Sequence, residues 1–98
     1  MPEYRIDPYQ LQILPEGMLQ KGIYFYRVSA ITADGVVDLV NTLKVYAPYT
    51  GNAIGIFWDS IPGSTSYRLY RRAGDGEEKS IFVSGSAFFF DTGAIEFE

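Results

Sequence analysis

The chain contains no cysteine and no histidine. Without cysteine there is no disulfide and no thiolate metal site. Without histidine the commonest general base and the commonest metal ligand are both missing. Serine and cysteine triads in their usual forms are therefore excluded. Positive charge is scarce as well: eight Lys and Arg face twelve Asp and Glu, for a net charge of −4. That balance offers no bulk attraction to nucleic acid or to an anionic membrane. No apolar run approaches the ~20 residues of a membrane span. The opening MPEYRIDPYQ has neither a basic leader nor an apolar segment after it, so no signal peptide is expected and synthesis as a soluble cytoplasmic chain is.

What the chain does have is strand-forming material. Hydrophobic residues make up 47% and aromatics 16%, mostly Tyr and Phe, which rules out a disordered chain. Ten Gly and five Pro supply the turns of an all-β domain. Ninety-eight residues make one domain that buries roughly two thirds of its unfolded surface.

Residues 54–72, IGIFWDSIPGSTSYRLYRR, organise the rest. Ile54, Ile56 and Trp58 alternate with Gly55, Phe57 and Asp59, a period of two that sends the first set to one face of a sheet. Ile61-Pro62-Gly63-Ser64-Thr65 breaks the strand with turn formers. Tyr67 and Leu69 then alternate with Arg68 and Tyr70 on the next strand, and the chain folds over Trp58, whose buried area dominates a small core.

Residues 22–33, GIYFYRVSAITA, form the strongest strand, with Tyr24, Tyr26, Val28 and Ala30 expected inward. The opposite face, with Ile23, Phe25 and Ile31, is apolar enough to need cover from other side chains or from a partner. Asp34-Gly35 signals a hairpin. Residues 36–47 carry a partial helical stripe, but Val, Thr and Tyr content and the preceding turn favour a strand, irregular near Asn41. Shorter strands are expected at 80–83 and 87–90, with the tail 94–98 as one more extended piece. Six or seven short strands with regular turns predict an antiparallel β-sandwich over residues 17–98. Residues 1–16 read as an arm, because Pro2, Pro8 and Pro15 exclude a helix there. The arm either covers the sandwich or reaches a neighbouring subunit.

Candidate chemistry is thin. Asp34, Asp75, Glu77, Glu78 and Asp91 are loop acids without the spacing of a calcium loop, and solvated turn acids explain them. Arg68, Arg71 and Arg72 beside Tyr70 suit phosphate or base stacking, but in an acidic chain they read as a solvated strand face that blunts self-pairing. Trp58, Tyr67 and Phe57 would make a sugar platform only if Trp58 were outside the core. Ser64, Thr65, Ser66 and Asp59 have no base or oxyanion partner, so no catalytic residue, cofactor or metal ligand is assigned. Phe88, Phe89 and Phe90 cannot all face inward in one strand.

Residues 54–72 resemble the second and third strands of the fibronectin type III domain, an immunoglobulin-like fold, with Trp58 as its core Trp and Tyr67 as its third-strand Tyr. AFFFDTG is similar to the strand and turn before the sixth strand of that family. GIYFYRVSAITADG is similar to the sixth, with Tyr24 in the place of the tyrosine corner, and VVDLVNTLKVYA to the seventh. The order is reversed here: the two late strands open the chain. The resemblance implies either a circular permutant or a sandwich that each chain completes with a neighbour; the arm or the end of residues 36–47 would fill the place of the missing first strand. It further implies a non-catalytic structural or interaction module, similar to small accessory proteins of bacteriophage particles that decorate a capsid, neck or tail. Expected partners are other virion proteins or copies of this chain, and the expected location is the virion, assembled in the host cytoplasm. A carbohydrate-binding accessory domain is the alternative, with a surface glycan as ligand. The partner-binding residues expected are Tyr4, Ile6, Tyr9, Leu11 and Ile13 in the arm and Ile95 and Phe97 in the tail. A strand end with unpaired N–H and C=O groups can add to another sheet edge.

Overall fold

A computed structural model describes residues 3–98; Met1 and Pro2 of the expected arm lie outside the described residues. Eight strands follow in order: β1 (Ile6–Leu19), β2 (Gly22–Thr32), β3 (Gly35–Asp38), β4 (Leu43–Ala47), β5 (Asn52–Trp58), β6 (Ser64–Ala73), β7 (Lys79–Ser84) and β8 (Phe88–Asp91). All pairings are antiparallel. They make two sheets, β1-β5-β8 and a five-stranded sheet in which β2 lies between β6-β7 and the consecutive strands β3 and β4. The expected all-β sandwich is the fold, and its two sheets are compatible with an immunoglobulin or fibronectin type III-like arrangement.

The period-two pattern settles which faces meet. Tyr24, Tyr26, Val28 and Ala30 of β2 are buried, as are Ile54, Ile56 and Trp58 of β5 and Tyr67 and Leu69 of β6. Trp58 and Tyr67 pack edge to face, with ring centroids 5.4 Å apart. The Tyr67 hydroxyl accepts the backbone N–H of Ile61 at 3.1 Å, so the ring also holds the corner between β5 and β6. Tyr24 donates its hydroxyl to the carbonyl of Gln20, four residues upstream, at 2.6 Å.

Residues 36–47 are one strand in two pieces. β3 pairs with the C-terminal part of β2 and β4 with its N-terminal part. At the break, Val40 donates its N–H to the carbonyl of Tyr4 at 2.9 Å. The Asn41 side chain accepts the N–H of Ile6 at 2.8 Å and donates to its carbonyl at 3.0 Å. An Asn amide thus takes the place of a neighbouring strand for one residue, tying the two sheets together.

From Ile6 onward the residues of the expected arm are paired with β5. Ile6↔Trp58, Asp7↔Phe57, Gln12↔Gly55 and Leu14↔Ala53 make residues 6–19 the outer strand of the smaller sheet. The register slips between Asp7 and Gln12 and again between Leu14 and Leu19. Pro8 and Pro15 fall in those slips, where the missing N–H costs no ladder bond. Gly17 lies so close to Asn52 that a Cβ there would overlap the Asn52 carbonyl. Buried Asn52 donates to the carbonyls of Leu19 and Tyr49, at 3.1 and 2.7 Å, fastening the end of β1 to the turn before β5.

The tail is also part of the domain. Glu98 and Ser80 exchange backbone hydrogen bonds of 2.8 and 3.0 Å, and Phe97 is 3% exposed. Its ring meets Phe89 edge to face at 6.1 Å.

Candidate interaction surfaces

The structure divides the seven residues expected to bind partners. Ile6 and Phe97 are in the core. Tyr4, Leu11 and Ile13 are half-buried and pack against it. The reason is that β1 and the tail bury their own apolar faces at home, on β5 and on β8. Tyr9, 94% exposed in the first slip of β1, and Ile95, exposed in the tail, remain on the surface. Nothing brings these two together: one lies on the β1 side, the other beside the strand that pairs with Glu98.

The outer face of the larger sheet is a different matter. Alternation puts Phe25 and Arg27 of β2 and Arg68, Tyr70 and Arg72 of β6 on that face, with Phe82 of β7 next to Arg68. Each guanidinium lies over a ring. Arg27 sits 3.6 Å from the Tyr70 centroid, Arg72 4.2 Å from Phe25 and Arg68 5.1 Å from Phe82. Stacked this way, the three cations are held flat while their aromatic neighbours keep one surface exposed. Arg27 also donates two hydrogen bonds to Glu78, at 2.9 and 2.7 Å. That contact holds the Glu78 carboxyl below its ordinary range and raises Arg27, in each case chiefly through the hydrogen bond. Asp38 is taken up by the Ser29 hydroxyl at 2.6 Å. Arg68 and Arg72 form no ion pair among the described residues. Tyr46 and Ile23 continue the face beyond Phe25 and are exposed.

Two of the expected surface charges belong inside. Arg71 shares the parity of Tyr67 and Leu69, so it points between the sheets. It donates to both carboxylate oxygens of Asp91 at 2.9 Å. Tyr26 donates its hydroxyl to the same carboxylate at 2.8 Å, and the Gly93 N–H reaches it at 3.2 Å. Asp91 is therefore no solvated turn acid: it is completely buried. Phe97 closes the cluster, with the Arg71 guanidinium 3.9 Å from its centroid. Burial first, and the neighbouring Asp91 charge second, push the Tyr26 phenol far above its ordinary value. This cluster joins β2 and β6 of one sheet to β8 of the other.

An open groove of about 570 Å³ lies at one end of the sandwich, lined by Tyr4, Thr32, Asp34, Val37, Val40 and Ile61 among others. Its polar side chains are the acids Glu3, Asp34 and Asp38 and the hydroxyls of Tyr4 and Thr32. Among the described residues no group of three or more acids gathers to hold a metal ion. Trp58 and Tyr67, which a sugar platform would require at the surface, are both buried. No family model matches the chain, and no solved structure matches it significantly.

Proposed function

We propose that this chain is a non-catalytic structural and interaction module that docks on other proteins through the outer face of its larger sheet. The observation that carries the reading is the set of three Arg–aromatic stacks: Arg27 on Tyr70, Arg72 on Phe25 and Arg68 on Phe82. Arginine and large aromatics are the residues most enriched at protein interfaces and their energetic centres. Held on a sheet, they lose little side-chain freedom on binding. Their charge on a chain of net −4 favours a partner surface rich in carboxylates.

The narrower reading is an accessory protein of a bacteriophage particle: a capsid decoration, neck or tail component that binds other virion proteins. It is supported by the resemblance of the strands to a fibronectin type III domain in permuted order, in a sequence without cysteine. In that reading β1 takes the place of the family's first strand, beside the Trp-bearing strand. Density-gradient sedimentation of particles from producing cells tests it. The protein should travel with the particles, and Arg68→Glu with Phe82→Ala should release it while leaving the fold intact. Recovery only as free protein, or sugar capture on a glycan array that the same double variant abolishes, would overturn it.

A further inference from the structure

The two sheets have four margins, β3 and β4 sharing one, and three of them are guarded against pairing with another chain. The outer side of β1 is met by Val40 and Asn41 at its start and broken by the two slips that hold Pro8 and Pro15. The β3–β4 side is interrupted between Asp38 and Leu43. The outer side of β7 is occupied where Ser80 exchanges two hydrogen bonds with Glu98. Slips, interruptions and a covering segment are the devices by which sheet proteins protect their margins.

β8 carries none of these. Its sequence is Phe88-Phe89-Phe90-Asp91, without proline, lysine or a slip in register. Trp58 donates its N–H to the carbonyl of Ala87. The ladder alternates from there, so Phe89 and Asp91 bond to β5, while the N–H and C=O groups of Phe88 and Phe90 point away from it. Among the described residues no backbone group meets them. The Phe88 and Phe90 side chains lie on the outer face, Phe88 4.7 Å from Phe57 and Phe90 over Gly55.

We infer that β8 pairs with β8 of a second copy of this chain. An antiparallel register centred on Phe89 sets Phe88 opposite Phe90 of the partner copy and the reverse. All four outward N–H groups then find carbonyls, and the arrangement is self-complementary about a two-fold axis, as a closed dimer requires. The ring pair Phe57–Phe88 extends across the junction to the partner copy's Phe90, and aromatic cross-strand pairs are among the favourable ones. No like charges meet: the one acid of the strand, Asp91, faces inward against Arg71. The two smaller sheets become one sheet of six strands, and both Arg-lined faces stay open. The contact is short, so the dimer is weak and concentration-dependent. It does not depend on the proposed docking face, which lies on the other sheet.

Sedimentation equilibrium of the full chain, from low micromolar to near-millimolar concentration, tests this together with amide hydrogen exchange at both ends of the range. The apparent mass should rise towards a dimer, and the amides of Phe88 and Phe90 should gain protection in step. Phe88→Lys, which places a charge on the exposed margin, should stay monomeric; Phe82→Lys on the other sheet should dimerise as the parent does. A monomer throughout overturns the proposal, as does association without protection at Phe88 and Phe90. So does an Phe88→Lys protein that dimerises unchanged, or a dimer lost on Phe82→Lys alone. Should Phe88→Lys fail to fold, the exchange data on the parent chain decide the matter.

Discussion

Trp58 and Asp91 show two ways in which a single side chain holds this fold. Trp58 lies against Tyr67 and is paired across the smaller sheet with Ile6. Trp58→Ala should cost about 3–5 kcal/mol, the usual range for truncating a buried large aromatic. A urea midpoint close to that of the parent would remove Trp58 from the centre of the core. Asp91 acts through its partners. Replacing it with Ala leaves the Arg71 guanidinium, whose side chain is 18% exposed, facing Phe97 without its counter-charge. Removing one member of a buried pair costs about 3 kcal/mol or more. The urea midpoint of Asp91→Ala should therefore fall well below that of Asp91→Asn, which keeps an acceptor for Tyr26. Tyr26 brings a pH dependence. Its folded value lies above the ordinary 10.0, so folding favours the protonated phenol. That stability is complete below pH 10 and is lost as the pH rises beyond it. The urea midpoint should fall on the alkaline side, and less steeply in Tyr26→Phe. Glu78 works in the opposite sense: its value is lowered, so its contribution is present above about pH 4.5 and fades as the pH falls further. That contribution is small, because the Arg27–Glu78 contact is well exposed.

The strands differ in how plainly the sequence announces them. In β2, β5 and β6 the large residues alternate over Tyr24–Val28, Ile54–Trp58 and Tyr67–Leu69, and there the inward face can be read off. In β1 it cannot. Its alternation is interrupted where Pro8 and Pro15 sit, so residues 6–19 look like a leader, and their partner strand lies far along the chain. The parity of Arg71 with Tyr67 and Leu69 marks it as inward. A lone charge on an inward face becomes intelligible only beside Asp91, twenty positions away. Phe97 is legible as half of an alternation but not its destination, because the tail meets β7 through a single residue, Glu98, on Ser80. The Arg–aromatic stacks span β2, β6 and β7, and which ring each guanidinium meets depends on the β2–β6 and β6–β7 registers. The element-scale prediction concerns β1. Deleting residues 1–9 removes Ile6, the Ile6↔Trp58 and Asp7↔Phe57 pairs and the Asn41 clamp together. Circular dichroism and thermal melting should find the truncated chain without a cooperative transition. A shortened chain that still melts sharply would make this part of the strand an accessory.

Across the whole molecule, the smaller sheet lacks any hairpin of its own. β1 meets β5 and β5 meets β8, each across a long stretch of intervening chain. The larger sheet, by contrast, contains the close pairs β2–β3 and β6–β7. The larger sheet can therefore begin from local pairs, whereas every pairing of the smaller sheet closes a long loop. On a ribosome β1 emerges first, yet it has nothing to pair with until residue 58 has appeared, and the sheet is complete only near residue 91. Closing such wide loops before any contact is gained puts all-β domains in the millisecond-to-second range of refolding. Stopped-flow Trp58 fluorescence should report that slow phase, because the ring is covered only when both sheets have closed. During the wait, the most apolar strands of the smaller sheet are the ones still looking for partners, which sets the interval in which this chain is most easily lost to aggregation.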